Sequence, residues 1–537
     1  MNATFHRTAW IRAKTARAGA FAQLAGGGAQ FFADAPVARL RTVFRKTFGL
    51  LTADFANRPL SEVRCLLSHL KLTARKGNTR MENNNMRKQT WKAAVSAAAI
   101  AAGAAIPMAA NAAYTSVTQT INNVAWRFQL DPSTGTAILG LDDSRYNDEA
   151  KRACPNVAVN AANIPWTFTG DDGVFYTVTA IARAAFYHNN GLTGLLTIPD
   201  AVTTVGNNAF SECKGLTELA GCRNVHVLDG YAFVRCTNMS GTYPDFSLLT
   251  TIGESPFQQN AKMSGPLKLG NSITALPRLA FSHSNYSGTA VIPPCVTTMG
   301  HNTNYGVFQD NSNLEAIWVK GKVTAASQDY TTVYCAKLAA SCQSMKMILI
   351  GRNTKGARMT QTDGNAMLAS DSGVQVFVPA NGYWTGLVAG GSNNTVWYYG
   401  PSEEFDLAVN DADMTATFTP TTVNALTNSL AWAKDFKTYF NLDAHISVTN
   451  TLDLTGVTID STAVSGVTFD RLMFSAKTQA QLNAILGAFP TTTPISIDPT
   501  GLTENMVIPE TYNNVYVKTV PGVTIKRTTS GFVLIVK

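Results

Sequence analysis

The chain has 537 residues, with 43 Lys and Arg against 35 Asp and Glu and a formal net charge of +8. Residues 1–112 carry 17 of those bases and 4 of the acids, leaving 26 bases against 31 acids downstream. Phosphate binding needs clustered positive charge on the folded part, so nucleic acid is excluded as a partner.

In chain order, residues 1–80 are rich in Arg, Ala and Phe without sustained periodicity, the character of translated non-coding sequence. They are expected to be a disordered, non-native extension that follows from a start codon placed too early. Arg75-Lys76-Gly77 would be read from purine-rich codons just ahead of Met81, where a ribosome-binding site would sit. Residues 81–112 read as a signal peptide: basic Met86-Arg87-Lys88-Gln89-Thr90-Trp91-Lys92, apolar Ala93 to Ile106, and the small-x-small site Ala110-Asn111-Ala112. Cleavage is expected after Ala112. The apolar run is shorter than the roughly 20 residues of a spanning helix, so no transmembrane segment is expected in the mature chain, and the product is expected to be secreted or held at the cell surface.

Residues 113–178 are predicted to form an N-terminal β cap. Val124 to Leu130 and Thr136 to Leu141 alternate apolar and polar about Asp131-Pro132-Ser133-Thr134-Gly135, a hairpin signal. Trp166 to Phe168 and Val174 to Val178 flank Gly170-Asp171-Asp172-Gly173 in the same way. Such a cap removes the open strand edge of whatever follows.

From residue 179 one pattern recurs six times with a period of about 24 residues. The clearest copies are Val205-Gly206-Asn207-Asn208-Ala209-Phe210-Ser211-Glu212-Cys213 and Val227-Leu228-Asp229-Gly230-Tyr231-Ala232-Phe233-Val234-Arg235-Cys236. Phe186, Phe257, Phe281 and Phe308 mark the others, and Met239-Ser240-Gly241 typifies the step into the next strand. A unit this short cannot bury its own apolar face, so it stacks on its neighbours as a β-rich solenoid.

The stretch from Thr197-Ile198-Pro199 through Ala209-Phe210-Ser211-Glu212-Cys213 to Leu216 resembles the BspA-like leucine-rich repeats of bacterial surface proteins. The resemblance spans roughly residues 120 to 350, and the array proper is placed at 179–350. Departures occur: Asn260 and Ser284 replace the Cys, the unit ending at Phe308 carries an insertion, and Ala339-Ala340-Ser341-Cys342 lacks the Phe. What the resemblance implies is an extracellular, adhesin-like recognition module with no catalytic residues.

The six Phe (Phe186, Phe210, Phe233, Phe257, Phe281, Phe308) are expected in the core. Thr197, Lys268, Val291 and Trp318, at alternate strand positions, are expected to face outward as binding residues. Trp318 is either an interface anchor of the kind often found at hot spots or a rim residue packed under the insertion between Gly300 and Val307. Cys213 and Cys236 occupy one position in adjacent repeats, close enough for a disulfide, or fill a position that wants a small buried side chain. Cys335 and Cys342 flank a short segment that a second bridge would close.

Residues 351–404 are expected to cap the array and link it to a separate α+β or β-rich domain of unrecognised family at 405–537, with helical patterns over Val423 to Phe440 and Thr478 to Phe489. No nucleophile elbow, zinc-protease, P-loop or dinucleotide motif occurs. Asp142-Asp143 and Asp171-Asp172 read as turn formers, so neither metal nor cofactor is expected. The expected function is an exported, non-enzymatic recognition protein whose repeat face binds a protein or surface glycan. The alternatives are a structural component of the envelope or matrix, and an enzyme housed in 405–537.

Overall fold

The computed structural model describes residues 114–142, 148–322, 330–448, 452–503, 506–520, 525–529 and 532–536. The expected extension at 1–80, the signal segment and the cleavage site lie outside the described residues.

Each coil of the array gives one strand to each of two parallel ladders. On one side the two-residue strands Thr204–Val205, Val227–Leu228 and Thr251–Ile252 pair in succession. Ala275–Leu276, Thr298–Met299, Thr331–Tyr334 and Thr354–Ala357 continue that side in a further sheet. On the other side Leu192–Ile198 pairs with Leu216–Gly221, and Gly241–Thr242 with Met263–Ser264. There Gly288–Ile292, Leu314–Val319, Met347–Ile350, Gln375–Pro379 and Thr395–Tyr399 form a final parallel sheet. The N-terminal end is closed by antiparallel Thr115–Ile121, Val124–Asp131 and Thr136–Leu139, the last pairing in parallel with Phe175–Ile181.

The corner between the two ladders explains the Ala-Phe signature. Two residues before each Phe except Phe308, Ala184, Asn208, Tyr231, Ser255 and Leu279 have φ between 49° and 58°. Two residues after all six, His188, Glu212, Arg235, Gln259, His283 and Asp310 have φ between 48° and 63°. That left-handed region costs an L-residue roughly 1–2 kcal/mol. It turns successive N–H groups toward the next coil: Phe186 to Ala209 C=O at 2.6 Å, His188 to Ser211 C=O at 2.8 Å, Phe210 to Ala232 C=O at 2.7 Å, Glu212 to Val234 C=O at 2.8 Å. Hydrogen bonds between coils offset the strain.

All six Phe side chains are fully buried. Phe186 stacks on Phe210 at 5.0 Å, Phe210 on Phe233 at 5.2 Å, Phe233 on Phe257 at 5.2 Å and Phe281 on Phe308 at 5.3 Å. Trp126 of the cap closes the stack edge-on to Phe186 at 6.4 Å.

Beside the rings runs a column of side-chain donors, three residues after Phe210, Phe233, Phe257 and Phe308 and after Ala339, which stands where a Phe would. Cys213 Sγ–H donates to Phe186 C=O at 2.9 Å, Cys236 to Phe210 C=O at 3.1 Å and Cys342 to Phe308 C=O at 3.1 Å. Asn260 Nδ2 does the same to Phe233 C=O at 2.9 Å and Asn311 Nδ2 to Phe281 C=O at 2.5 Å. The column therefore selects a small side chain with a proton to give, which is why Cys and Asn exchange there. Cys213, Cys236, Cys335 and Cys342 are free thiols, and burial pushes Cys236 and Cys335 up to about 12.

Residues 405–520 form a second array. Phe405–Asn410 pairs antiparallel with Thr415–Pro420, after which Asp443–Val448, Thr468–Ser475, Ile495–Asp498 and Val515–Val517 add in parallel and in chain order. Helices α1 (Val423–Phe440), α2 (Ser461–Val464) and α3 (Gln479–Ala488) fill the first crossovers. Thr422 caps α1 by accepting the Ala425 N–H at 3.1 Å, and Asn441 ends it at φ 54°. The buried residues Leu426, Leu430, Ala433, Phe436 and Phe440 share one face of α1 at helical spacing.

That face settles the relation between the arrays. It packs on the outward side of the late coils, in one core with Ala316, Trp318, Met347, Leu349, Phe377 and Tyr399. Phe377 meets Trp432 at 5.0 Å and Phe436 at 5.2 Å, and Trp397 meets Trp432 at 4.8 Å. Thr289 Oγ1 donates to Tyr439 C=O, and Arg352 to the Asp406 carboxylate and to Leu407 C=O. Residues 405–520 do not stand apart from the solenoid.

Candidate functional site

Three surfaces present side chains that no internal contact fully uses. The first is the outward strand face. On Leu192–Ile198 the residues alternate, with Thr193, Leu195 and Thr197 exposed and Leu192, Leu196 and Ile198 buried. Thr217, Glu218, Thr242 and Ser264 continue the exposed row over the next coils.

The structure does not bring the four expected binding residues together. Thr197 and Lys268 are exposed, on different coils. Val291 is in register with Trp318 and partly buried against the core shared with α1. The expectation of an outward, accessible Trp318 is corrected: its side chain does point out of the solenoid but is only 3% exposed. Its ring lies 6.0 Å from Phe440, with Lys320 Nζ 4.4 Å from the ring centroid. The cover is α1, not the insertion after Gly300.

The second surface is the ridge at the left-handed corner positions. His188 Nε2 lies 3.4 Å from Glu212, Arg235 lies 3.2 Å from the same carboxylate, and His283 lies 3.0 Å from Asp310. Arg235 Nε also donates to Gln259 Oε1 at 2.8 Å. Charges that neutralise each other in solvent contribute little to stability, and the ridge offers no concave site.

The third is concave. Glu254, Pro277, Arg278, His301 and Thr303 line an open cleft of about 380 Å³. Arg278 Nε donates to Glu254 Oε1 at 2.8 Å and Tyr231 Oη to Glu254 Oε2 at 3.3 Å. Burial and then the Glu254 carboxylate push the Tyr231 phenol upward, and the same carboxylate pushes the Arg278 guanidinium upward. No sequence reading singled these residues out, although the irregular spacing before Phe308 was the available signal. Among the described residues there is no group of three or more His, Cys, Asp or Glu placed to hold a metal, and no helix long and apolar enough to cross a membrane.

One buried acid stands out. Asp371 is 4% exposed and no side chain among the described residues hydrogen-bonds its carboxylate, which lies near the backbone of Cys342 and Ser341. The inter-coil bond from Glu212 N–H to Val234 C=O recurs as Ser341 N–H to Ala369 C=O at 3.0 Å, which places Asp371 in the donor column after Cys342. Burial pushes its carboxyl up to about 7.

A parallel solenoid with corner Phe residues is a leucine-rich repeat architecture. Residues 179–315 and 246–345 match the family described as BspA type leucine rich repeat region, with 6 copies; residues 179–345 are such a region. No curated protein matches the chain. Among solved structures it is similar to the leucine rich repeat protein TpLRR of T. pallidum, at 17% identity over 42% of this chain and 78% of that chain, TM-score 0.25. It is also similar to a leucine rich cell surface protein of Faecalibacterium prausnitzii A2-165, at 16% identity over 54% of this chain and 96% of that one, TM-score 0.27. For the pneumococcal vaccine antigen PcpA the figures are 12%, 75%, 99% and 0.30. Superpositions this loose carry no argument about binding.

Proposed function

We propose that the protein is an exported, non-enzymatic recognition protein that binds a protein or surface glycan through the open strand face of its first coils, in the manner of an adhesin. The observation that carries this reading is the split in the outward face. Late coils spend theirs on α1, whereas Thr193, Leu195, Thr197, Thr217 and Glu218 stay exposed among the described residues. Leu195, 42% exposed, is the apolar centre of that row, and a central apolar residue ringed by polar ones is the arrangement of an interface anchor. Export rests on the signal sequence at 81–112, and a surface or secreted location follows from it.

The test is capture of extracellular-matrix proteins and envelope glycans by the secreted product, repeated with Leu195→Asp and Thr197→Lys. Binding reduced at least tenfold with an unchanged melting temperature supports the reading. Binding that ignores both changes and disappears only when residues 405–537 are removed refutes it.

A further inference from the structure

The Phe-to-Phe spacing is 23 or 24 residues up to Phe281 and 27 from there to Phe308. Insertions in solenoid repeats emerge as loops on one side, often the side that binds. Here the extra length forms the 301–305 loop, and alternate residues of that loop have different tasks. Arg358 holds Asn302 and Asn304, donating to Asn302 Oδ1 at 3.1 Å and to Asn304 Oδ1, while its Nη2 also reaches Gln361 Oε1 at 3.0 Å. His301 and Thr303 instead line the cleft, opposite Glu254 and Arg278. Tyr305 stands beside them, half-exposed, with the Arg278 guanidinium 5.5 Å from its ring centroid. Arg358 thus pins the loop on which these residues sit.

One of those groups still has donors to give. Arg278 uses only Nε in the bond to Glu254, so its Nη groups donate to no acceptor among the described residues. The chemistry of the pair restricts what fits. A ligand carboxylate drawn to Arg278 meets Glu254 beside it, and a ligand ammonium drawn to Glu254 meets Arg278. A hydroxyl, which both donates and accepts, suits the two together. The exposed part of the Tyr305 ring supplies an apolar surface for the C–H face of a ring, and the volume lies at the lower end of small-ligand clefts.

We propose that this cleft binds an uncharged pyranose sugar, with vicinal hydroxyls on Arg278 and Glu254 and its C–H face against Tyr305. The site is on a different side of the coils from the strand face and stands or falls independently of it.

The experiment is saturation-transfer NMR on the full chain with millimolar methyl glycosides of glucose, galactose, mannose and N-acetylglucosamine, and with glucuronate and glucosamine as charged counterparts. Transfer to at least one neutral glycoside is expected, weakened at least tenfold by Tyr305→Ala and at least fivefold by Glu254→Gln. Tyr305→Phe, which keeps the ring, should retain it, and all three variants should melt with the wild type because these side chains face solvent. Should Tyr305→Ala fail to fold, Glu254→Gln decides alone. The proposal is overturned by absence of transfer to every neutral glycoside, by transfer that survives both Tyr305→Ala and Glu254→Gln, or by a preference for glucuronate or glucosamine over the neutral sugars.

Discussion

The strands Leu192–Ile198 and Met347–Ile350 belong to the same side of the solenoid and face opposite fates. In the first, buried and exposed residues alternate; in the second, all four residues are buried. Both turn one set of side chains into the Phe-lined core. Only the second turns the other set, Met347 and Leu349, into a core shared with α1. A solenoid face is therefore not one surface: part of it recognises the chain's own C-terminal array, and what remains open is what a partner can reach.

The largest effect that would sharpen this comparison is at the rings common to both regions. Phe210→Ala should cost roughly 3–5 kcal/mol, read by denaturant unfolding, and hydrogen exchange should show the loss of protection spreading into the coils on either side. Loss confined to residue 210 and its immediate neighbours in sequence would contradict nearest-neighbour stacking.

Next comes Trp318→Ala, expected at about 3 kcal/mol because a buried Trp leaves a cavity. Its signature differs. Limited proteolysis should begin to cut within 405–520 while the early coils stay protected. If Trp318→Ala were neutral, α1 would not be covering the late coils.

The Asp371 acid should give a smaller, pH-dependent effect. Its ordinary value of 3.8 is pushed up to about 7 by burial, so the folded chain holds this proton more tightly than the unfolded one. Stability from that proton is complete below about pH 4, is lost as pH rises toward about 7, and is flat beyond. Asp371→Asn, which puts a permanent donor into the column as Asn260 and Asn311 do, should remove that decline in a melting-temperature series.

The smallest effects are expected at the surface and at the thiols. Leu195→Asp should leave stability within about 0.5 kcal/mol, the counterpart of Trp318→Ala on the open half of the face. Native protein should react with a thiol reagent mainly at half-buried Cys295, and the fully buried Cys213, Cys236, Cys335 and Cys342 should react only after unfolding.

The corners were legible because the same small residues, Phe and Cys recur at fixed spacing, and a strict period reports a strict register. The docking of the arrays was not read, yet a signal was present. Met347-Ile348-Leu349-Ile350 and Val376-Phe377-Val378 are apolar at both parities, the mark of a strand buried on both faces, whereas Leu192 to Ile198 alternates. Trp318 misleads because its outward parity in Ala316-Ile317-Trp318-Val319 does not tell what covers that face, whereas its apolar neighbours do. The C-terminal array escaped because its first crossover is longer than the next two: Phe418 pairs with Ile446, then Ile446 with Phe469 and Phe474 with Ile497. A helix-bearing first crossover hides the period that equal coils advertise. The sugar cleft left only its inserted residues as a trace, since Glu254, Arg278 and Thr303 come from three different coils.

The ladders also vary in depth along the array. Toward the N-terminal end Leu192–Ile198 and Leu216–Gly221 share five registered pairs, and toward the C-terminal end Gln375–Pro379 and Thr395–Tyr399 share five. Between them, Val227–Leu228 and Thr251–Ile252 share two, and so do Gly241–Thr242 and Met263–Ser264. A molecule anchored at one end and pulled at the other carries the same tension through every coil, so it yields where the fewest bonds cross. Under such a load the middle coils would part first, while the capped N-terminal stack and the C-terminal pair of arrays keep their shape.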